Sequence, residues 1–130
     1  MAPARTAADH DDLLATYAAA WNRHDLDAIM SMMTPDCIFE TSGGPDPCGR
    51  RFVGQEAVRA AIAEIFASLP DIRFTAARHF SAGDRGASEW TMTATRADGR
   101  RIETRGCDLF EFANGKIRRK DSYRKRQLPA

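Results

Sequence analysis

An α+β fold is what the sequence predicts, and three observations carry the prediction. Helical patterns fill the first half of the chain, with one short strand pattern among them. After Pro70 the texture changes to strand-like alternation for the rest of the sequence. Two hairpin signals, Ala97-Asp98-Gly99 and Asn114-Gly115, divide that second region. Helices followed by a meander of strands pack as helices on one face of a curved, mostly antiparallel sheet.

The spacing predicts a first helix over Asp9 to His24. Leu13, Leu14, Tyr17, Ala18 and Trp21 recur at three- and four-residue spacing and form its apolar stripe. Asp9, Asp11 and Asp12 suit its N-terminus, and Arg23 and His24 its C-terminus. Tyr17 therefore falls on the buried face, where its hydroxyl needs a partner. Asp25 is placed to cap a short second helix presenting Leu26, Ile29, Met30 and Met33, which Pro35 is expected to end. Cys37 to Thr41 reads as a strand, and the Gly/Pro-rich stretch from Ser42 to Gly49 as a loop. The segment from Phe52 to Glu56 leads into a third helix with Val58, Ala61, Ile62, Ile65, Phe66 and Leu69 on its apolar face, stopped by Pro70.

The strands follow. Ile72 to Phe80 alternates loosely, with His79 grouped with Thr75 and Ala77, opposite Phe74, Ala76 and Phe80. Ala87 to Arg96 sets Trp90, Met92 and Ala94 against Thr91, Thr93 and Thr95. Arg101 to Phe112 places Ile102, Thr104, Gly106, Asp108, Phe110 and Phe112 on one face, which is apolar or small everywhere except at Asp108. A carboxylate there costs free energy unless it is paired, hydrogen-bonded or protonated. Lys116 to Lys125 is the last strand; its basic residues read as a solvated face, because no aromatic ladder accompanies them.

A length of 130 residues bounds the chain to one domain, set here at residues 9–126 after a loose tail at 1–8. The formal charge of +1 gives no reason to expect nucleic acid or a membrane surface as partner. No apolar run suits a membrane span, and residues 1–8 do not read as a secretory signal. Three scattered cysteines fit free thiols in a reducing cytoplasm, Cys37 and Cys107 buried and Cys48 the most exposed. Neither a metal nor a nucleotide cofactor is expected, since no metal-ligand spacing or phosphate-cradling glycine motif occurs.

Four segments together resemble the nuclear-transport-factor-2-like superfamily, and within it the SnoaL-like polyketide cyclases and ketosteroid isomerases. They are Tyr17-Ala-Ala-Ala-Trp-Asn-Arg-His-Asp25-Leu-Asp, Met33-Thr-Pro-Asp-Cys-Ile-Phe-Glu40, Phe52-Val-Gly-Gln-Glu-Ala-Val-Arg, and Asp108-Leu-Phe-Glu-Phe followed by Gly115-Lys-Ile. The resemblance runs from about Asp9 to Arg124 and implies a cone-shaped fold with a pocket between helices and sheet. It implies Tyr17 as a donor to a substrate oxygen. It implies Asp108 as a second, protonated donor, or as a general acid/base in ring closure. Where the isomerases carry their base this chain has Thr41, which cannot abstract a carbon-bound proton at neutral pH. Adjacent Glu40 could serve only if a bulge turned it inward, because strand parity points it away from Phe39 and Thr41.

Two functional readings follow. One is a cofactor-independent isomerase or cyclase acting on a hydrophobic carbonyl compound. Its catalytic candidates are Asp108, Tyr17 and Glu40, and its pocket would be lined by Thr41, Phe39, Trp90, Phe110 and Trp21. The other is a non-catalytic ligand-binding or dimerisation domain in which Tyr17 and Asp108 merely satisfy each other's burial. The threonine face of the sheet is the expected surface of a homodimer, as in relatives of this kind.

Overall fold

The computed structural model describes residues 7–130. Three helices, α1 (Ala7–Asn22), α2 (Leu26–Ser31) and α3 (Gln55–Ser68), pack on one face of a six-stranded sheet. Its strands are β1 (Met33–Glu40), β2 (Arg51–Val53), β3 (Arg73–Ala82), β4 (Arg85–Thr95), β5 (Arg101–Ala113) and β6 (Lys116–Arg124). They lie in the order β2-β1-β6-β5-β4-β3. Only the β1–β6 pair is parallel, so the sheet is mostly antiparallel and curved around the helices. This is the expected α+β architecture. The expected tail falls outside the described residues up to position 6, and α1 begins at Ala7.

The main core is built where the helices meet the inner face of the sheet. Leu14, Tyr17, Ala20 and Trp21 of α1 meet Phe39, Phe110, Phe112 and Ile117 there, with Val58 and Ile62 of α3. Asn22 fixes the end of α1 against β3: its amide donates to the Phe74 carbonyl at 2.9 Å and accepts the Phe74 N–H at 2.8 Å. This holds the Trp21 ring edge-on to Phe74, 5.7 Å between centroids. Asp25 caps α2 by accepting the Ala28 N–H at 3.1 Å. The Gln55 side-chain amide reaches the carbonyls of Met30, Met33 and Thr34, tying α3 to the start of β1.

Three local readings are corrected. The second helix ends at Ser31, before Met33 and Pro35, which both belong to β1. Pro35 is tolerated because pairing with β6 is irregular between Met33 and Ile38, so no ladder bond is lost there. The approach to α3 contains a strand, β2, that pairs with the end of β1. In β3 the pattern slips: Thr75 pairs with Thr91 but Arg78 with Glu89, leaving one extra residue in β3. Ala76 takes a positive φ of 52° at that bulge. Side chains beyond it change faces. His79 therefore lies on the inner face with Phe74, and Phe80 points outward, 59% exposed.

Candidate functional site

Asp108 lies on the inner face of β5, 6% exposed, and three donors close on its carboxylate. The Trp90 indole N–H donates to Oδ2 at 2.9 Å, and Lys120 Nζ and the Ser122 hydroxyl donate to Oδ1 at 2.8 and 2.6 Å. Acceptance from three sides is the hydrogen-bonding inventory of an ionised carboxylate. The neutral donor implied by the isomerases does not match this surrounding. Gly106 makes the Trp90 contact possible. A Cβ there would come within 2.6 Å of the Trp90 ring and 2.4 Å of the Tyr123 carbonyl, so only glycine lets the indole lie across β5.

Lys120 is the residue that sequence reasoning missed. It is 4% exposed, and its ammonium sits over the rings of Trp21 and Phe39, at 4.9 and 5.0 Å. Ile117 faces the core, and simple alternation would turn Lys120 to the opposite side. Glu111 pairs with Arg119 but Phe112 with Ile117, so β6 carries one extra residue and Lys120 comes inward. Ser122, two residues on, accepts from Lys120 Nζ at 2.9 Å and completes the triangle with Asp108.

Tyr17 reaches the same region from α1, but it does not hydrogen-bond Asp108. Its hydroxyl donates to Met33 Sδ at 3.6 Å, and its ring stands edge-on to Phe110 and Trp21. Burial pushes the hydroxyl's pKa far up, and the Asp108 charge adds to the effect, so Tyr17 stays protonated. Among the described residues the buried Trp21 indole N–H makes no hydrogen bond of full geometry, though it faces the Tyr17 hydroxyl closely enough to offset part of that rise. His79 and Ser88 share a bond of 2.7 Å between Nδ1 and Oγ, and Ser88 is the cross-strand neighbour of Asp108. Burial lowers the His79 pKa and so favours the neutral ring, an effect that the nearby Asp11 charge partly opposes.

Two adjoining cavities meet at this cluster. A cavity of about 250 Å³ is walled by Trp21, Phe39, Phe74, Trp90 and Met92, with Thr41, Ser42 and Gly43 among its lining. Lys120, Ser122 and Arg124 add further polar side chains to its lining. A second space of about 30 Å³, the size of a water site, is lined by Tyr17, His79, Ser88, Asp108 and Phe110. Trp21, Phe74, Trp90 and Lys120 border both. The sequence-expected residues Trp21, Phe39, Thr41 and Trp90 thus line the larger cavity, while Phe110, Tyr17 and Asp108 line the inner one.

Glu40 does not join them. It turns to the outer face, where Arg51 donates to Oε2 at 2.9 and 2.7 Å and Arg119 grips Oε1. The bulge that would have turned it inward is absent at that position, because Ile38, Phe39 and Glu40 pair in unbroken register with Val53, Phe52 and Arg51. Among the described residues no group of three His, Cys, Asp or Glu could hold a metal ion. Among the described residues, no helix is long and apolar enough to cross a membrane.

Comparison with known proteins agrees with this architecture. A proposed polyketide cyclase from Xanthomonas campestris pv. campestris superposes with a TM-score of 0.80 at 20% identity, over 89% of this chain and 90% of the other. An NTF2-like protein of unknown function from Mesorhizobium loti gives 0.76 at 26% identity, over 96% and 98%. TerC, co-crystallised with polyporic acid, gives 0.76 at 20% identity, over 90% and 92%. No curated protein matches the sequence significantly. The SnoaL-like domain pattern, however, matches residues 14–120, from the apolar stripe of α1 to Lys120, and the chain accordingly belongs to the SnoaL-like family.

Proposed function

We propose that this protein is a cofactor-independent acid/base enzyme, an isomerase or cyclase acting on a hydrophobic carbonyl compound held between the helices and the sheet. The observation that carries the reading is the Lys120–Asp108 pair, buried where the two cavities meet and flanked by Trp21 and Trp90. Likeness to a proposed polyketide cyclase supports it at the level of the fold.

The chemistry follows from the hydrogen bonds. The carbonyl oxygen of a substrate in the larger cavity would lie against Lys120, whose ammonium stabilises the charge developing there on enolisation. Asp108 accepts the proton removed from the adjacent carbon. Ser122 lines the cavity and already donates to Asp108, so its hydroxyl relays that proton as it passes its own to Oδ1. Protonating the enolate at a different carbon gives isomerisation, and attack of the enolate on a second carbonyl gives ring closure. Tyr17 keeps the inner end protonated and polar. Asp108, whose carboxylate accepts from Trp90, Lys120 and Ser122, fills the role of base for which Thr41 is unsuited.

A second reading has its own support. The space beside Asp108 is water-sized, as a structural ion pair in a ligand-binding domain without catalysis would leave it. Exchange of the α-protons of a cyclic ketone such as 2-tetralone in deuterated buffer, followed by NMR, separates the two. The enzyme reading expects the protein to accelerate exchange and Asp108→Asn to lower the rate about 10²- to 10⁴-fold, with circular dichroism unchanged. Exchange no faster than in buffer alone, or equal in both proteins, assigns the cavity to binding.

A further inference from the structure

The charge around the larger cavity has one sign. Among the described residues its charged lining is Lys120 and Arg124, with no carboxylate; Asp108 stands behind Lys120, on the inner space. Next to it lies an open surface depression that shares Ser42, Gly43, Leu69 and Arg124 with the cavity. That depression is bordered by Arg96, Arg100, Lys125 and Arg126, again without an acidic lining residue. The chain as a whole is formally only +1, so this is a local concentration of charge and not a property of the whole surface. Arg124, exposed at this mouth, has its pKa lowered by partial desolvation and by nearby Arg96.

The cationic mouth leads to a donor with capacity to spare. Lys120 has three ammonium hydrogens. Asp108 and Ser122 take two, at 2.8 and 2.9 Å, which leaves the third without a hydrogen-bond acceptor among the described residues. The aromatic faces of Trp21 and Phe39 screen this ammonium from water without supplying an acceptor of comparable strength. An anionic oxygen arriving through the mouth would complete the set, with its ring system between the walls of Trp21, Phe39, Phe74 and Trp90.

We propose that the cavity takes a flat aromatic or polycyclic small molecule carrying an acidic oxygen, a carboxylate or an acidic enol or phenol, which enters through the basic mouth and seats that oxygen on Lys120. This deepens the catalytic reading by naming the substrate class, but the binding does not depend on turnover. A volume of about 250 Å³ is at the small end for ligand sites, so the ring system is two or three rings across. The positive mouth raises the local concentration of such an anion and accelerates its entry, an effect that salt screens.

Calorimetric titration with paired probes tests it. 2-Naphthoate and 2-naphthamide share a shape and differ in charge; 2-hydroxy-1,4-naphthoquinone and 1,4-naphthoquinone do the same for an acidic enol. The proposal expects the acid of at least one pair to bind at least tenfold more tightly than its neutral partner, and which pair responds identifies the source of the acidic oxygen. Lys120→Met should abolish that preference, and Arg124→Gln with Arg126→Gln should weaken it and its salt dependence. Neutral probes binding as well as the acids, or no binding by any of the four, overturns the proposal. So does an acid preference that survives in Lys120→Met, which would place the anion at the rim alone. The comparison on the unaltered protein stands even if Lys120→Met does not fold. Acid-selective binding without accelerated C3–H exchange in bound 2-hydroxy-1,4-naphthoquinone would keep this inference and sink the catalytic one.

Discussion

At the scale of single residues, Glu40 faces away from both cavities, and its pairing with Arg51 and Arg119 is expected to act on stability. Its carboxylate is buried, whereas Arg51 and Arg119 remain partly exposed and can reach water when it is lost. Glu40→Gln is therefore expected to cost about 1–3 kcal/mol, the range for hydrogen bonds to charged groups less their recovered solvation. Burial alone would raise the Glu40 pKa, but the hydrogen bonds and charges of Arg51 and Arg119 win and hold it below its ordinary 4.5. The folded state thus binds this proton less readily than the unfolded chain. The stability it contributes is fully present above about pH 4.5 and is lost as pH falls through the depressed value. Chemical denaturation between pH 7 and pH 3 should show a steeper acid loss in the native protein than in Glu40→Gln; parallel curves would refute the assignment. Asp108 and Tyr17 were legible as site residues because each lies on a regular stripe with no interruption before it. Lys120 was not legible, since nothing in a run of basic residues marks which one is turned into an aromatic cage.

Individual elements explain where that legibility ends. Helices and hairpins follow from local rules: the three-four spacing of α1 and α3, the Asp25 cap, and the Asn114-Gly115 turn with φ of 54° and 74°. Bulges do not, because one extra residue inverts every side chain beyond it while leaving composition unchanged. The site depends on two of them, in β3 for His79 and in β6 for Lys120. Ala76 marks the first, in a left-handed conformation that costs an L-residue about 1–2 kcal/mol. Glycine removes that strain but loses about 0.5–1 kcal/mol through the unfolded chain. Ala76→Gly should accordingly be neutral to stabilising by up to about 1 kcal/mol in urea denaturation, with the His79 ring still bonded to Ser88. Deleting Ala76 removes the extra residue itself: Thr75 can keep Thr91 and Arg78 can keep Glu89 in continuous pairing, so His79 should stay inward and Phe80 outward at a cost below about 2 kcal/mol. A deletion variant destabilised by several kcal/mol, or one that loses the His79–Ser88 bond, would show that the bend at the bulge is itself required.

For the whole molecule, the same alternation that fills the interior leaves an outer face needing its own account. Leu109 and Phe80 pair with Ala87 from either side, forming an apolar row across β3, β4 and β5, and Tyr123 lies close by on β6. Leu109 is 38% and Tyr123 52% exposed, and Phe80 is more exposed still. The threonines Thr91, Thr93 and Thr95 continue this face, as their alternation with buried Trp90, Met92 and Ala94 requires. Arg105, Glu103 and Glu89 share this face with the threonines, so under a two-fold axis the apolar row of one copy can meet Leu109 of the other while these opposite charges find counterparts beside it. We expect a homodimer through this face, with the basic mouth left open at the other side of the sheet. Light scattering coupled to size exclusion should give the dimer mass for the native chain at micromolar concentration. Leu109→Lys should shift it to the monomer, because two like charges would then face each other across the axis in place of apolar contact. The mutated side chain points away from Lys120 and Asp108, so anion binding in the monomer should change less than threefold. A native chain that elutes as a monomer, or a Leu109→Lys variant that stays dimeric, would move the association surface elsewhere.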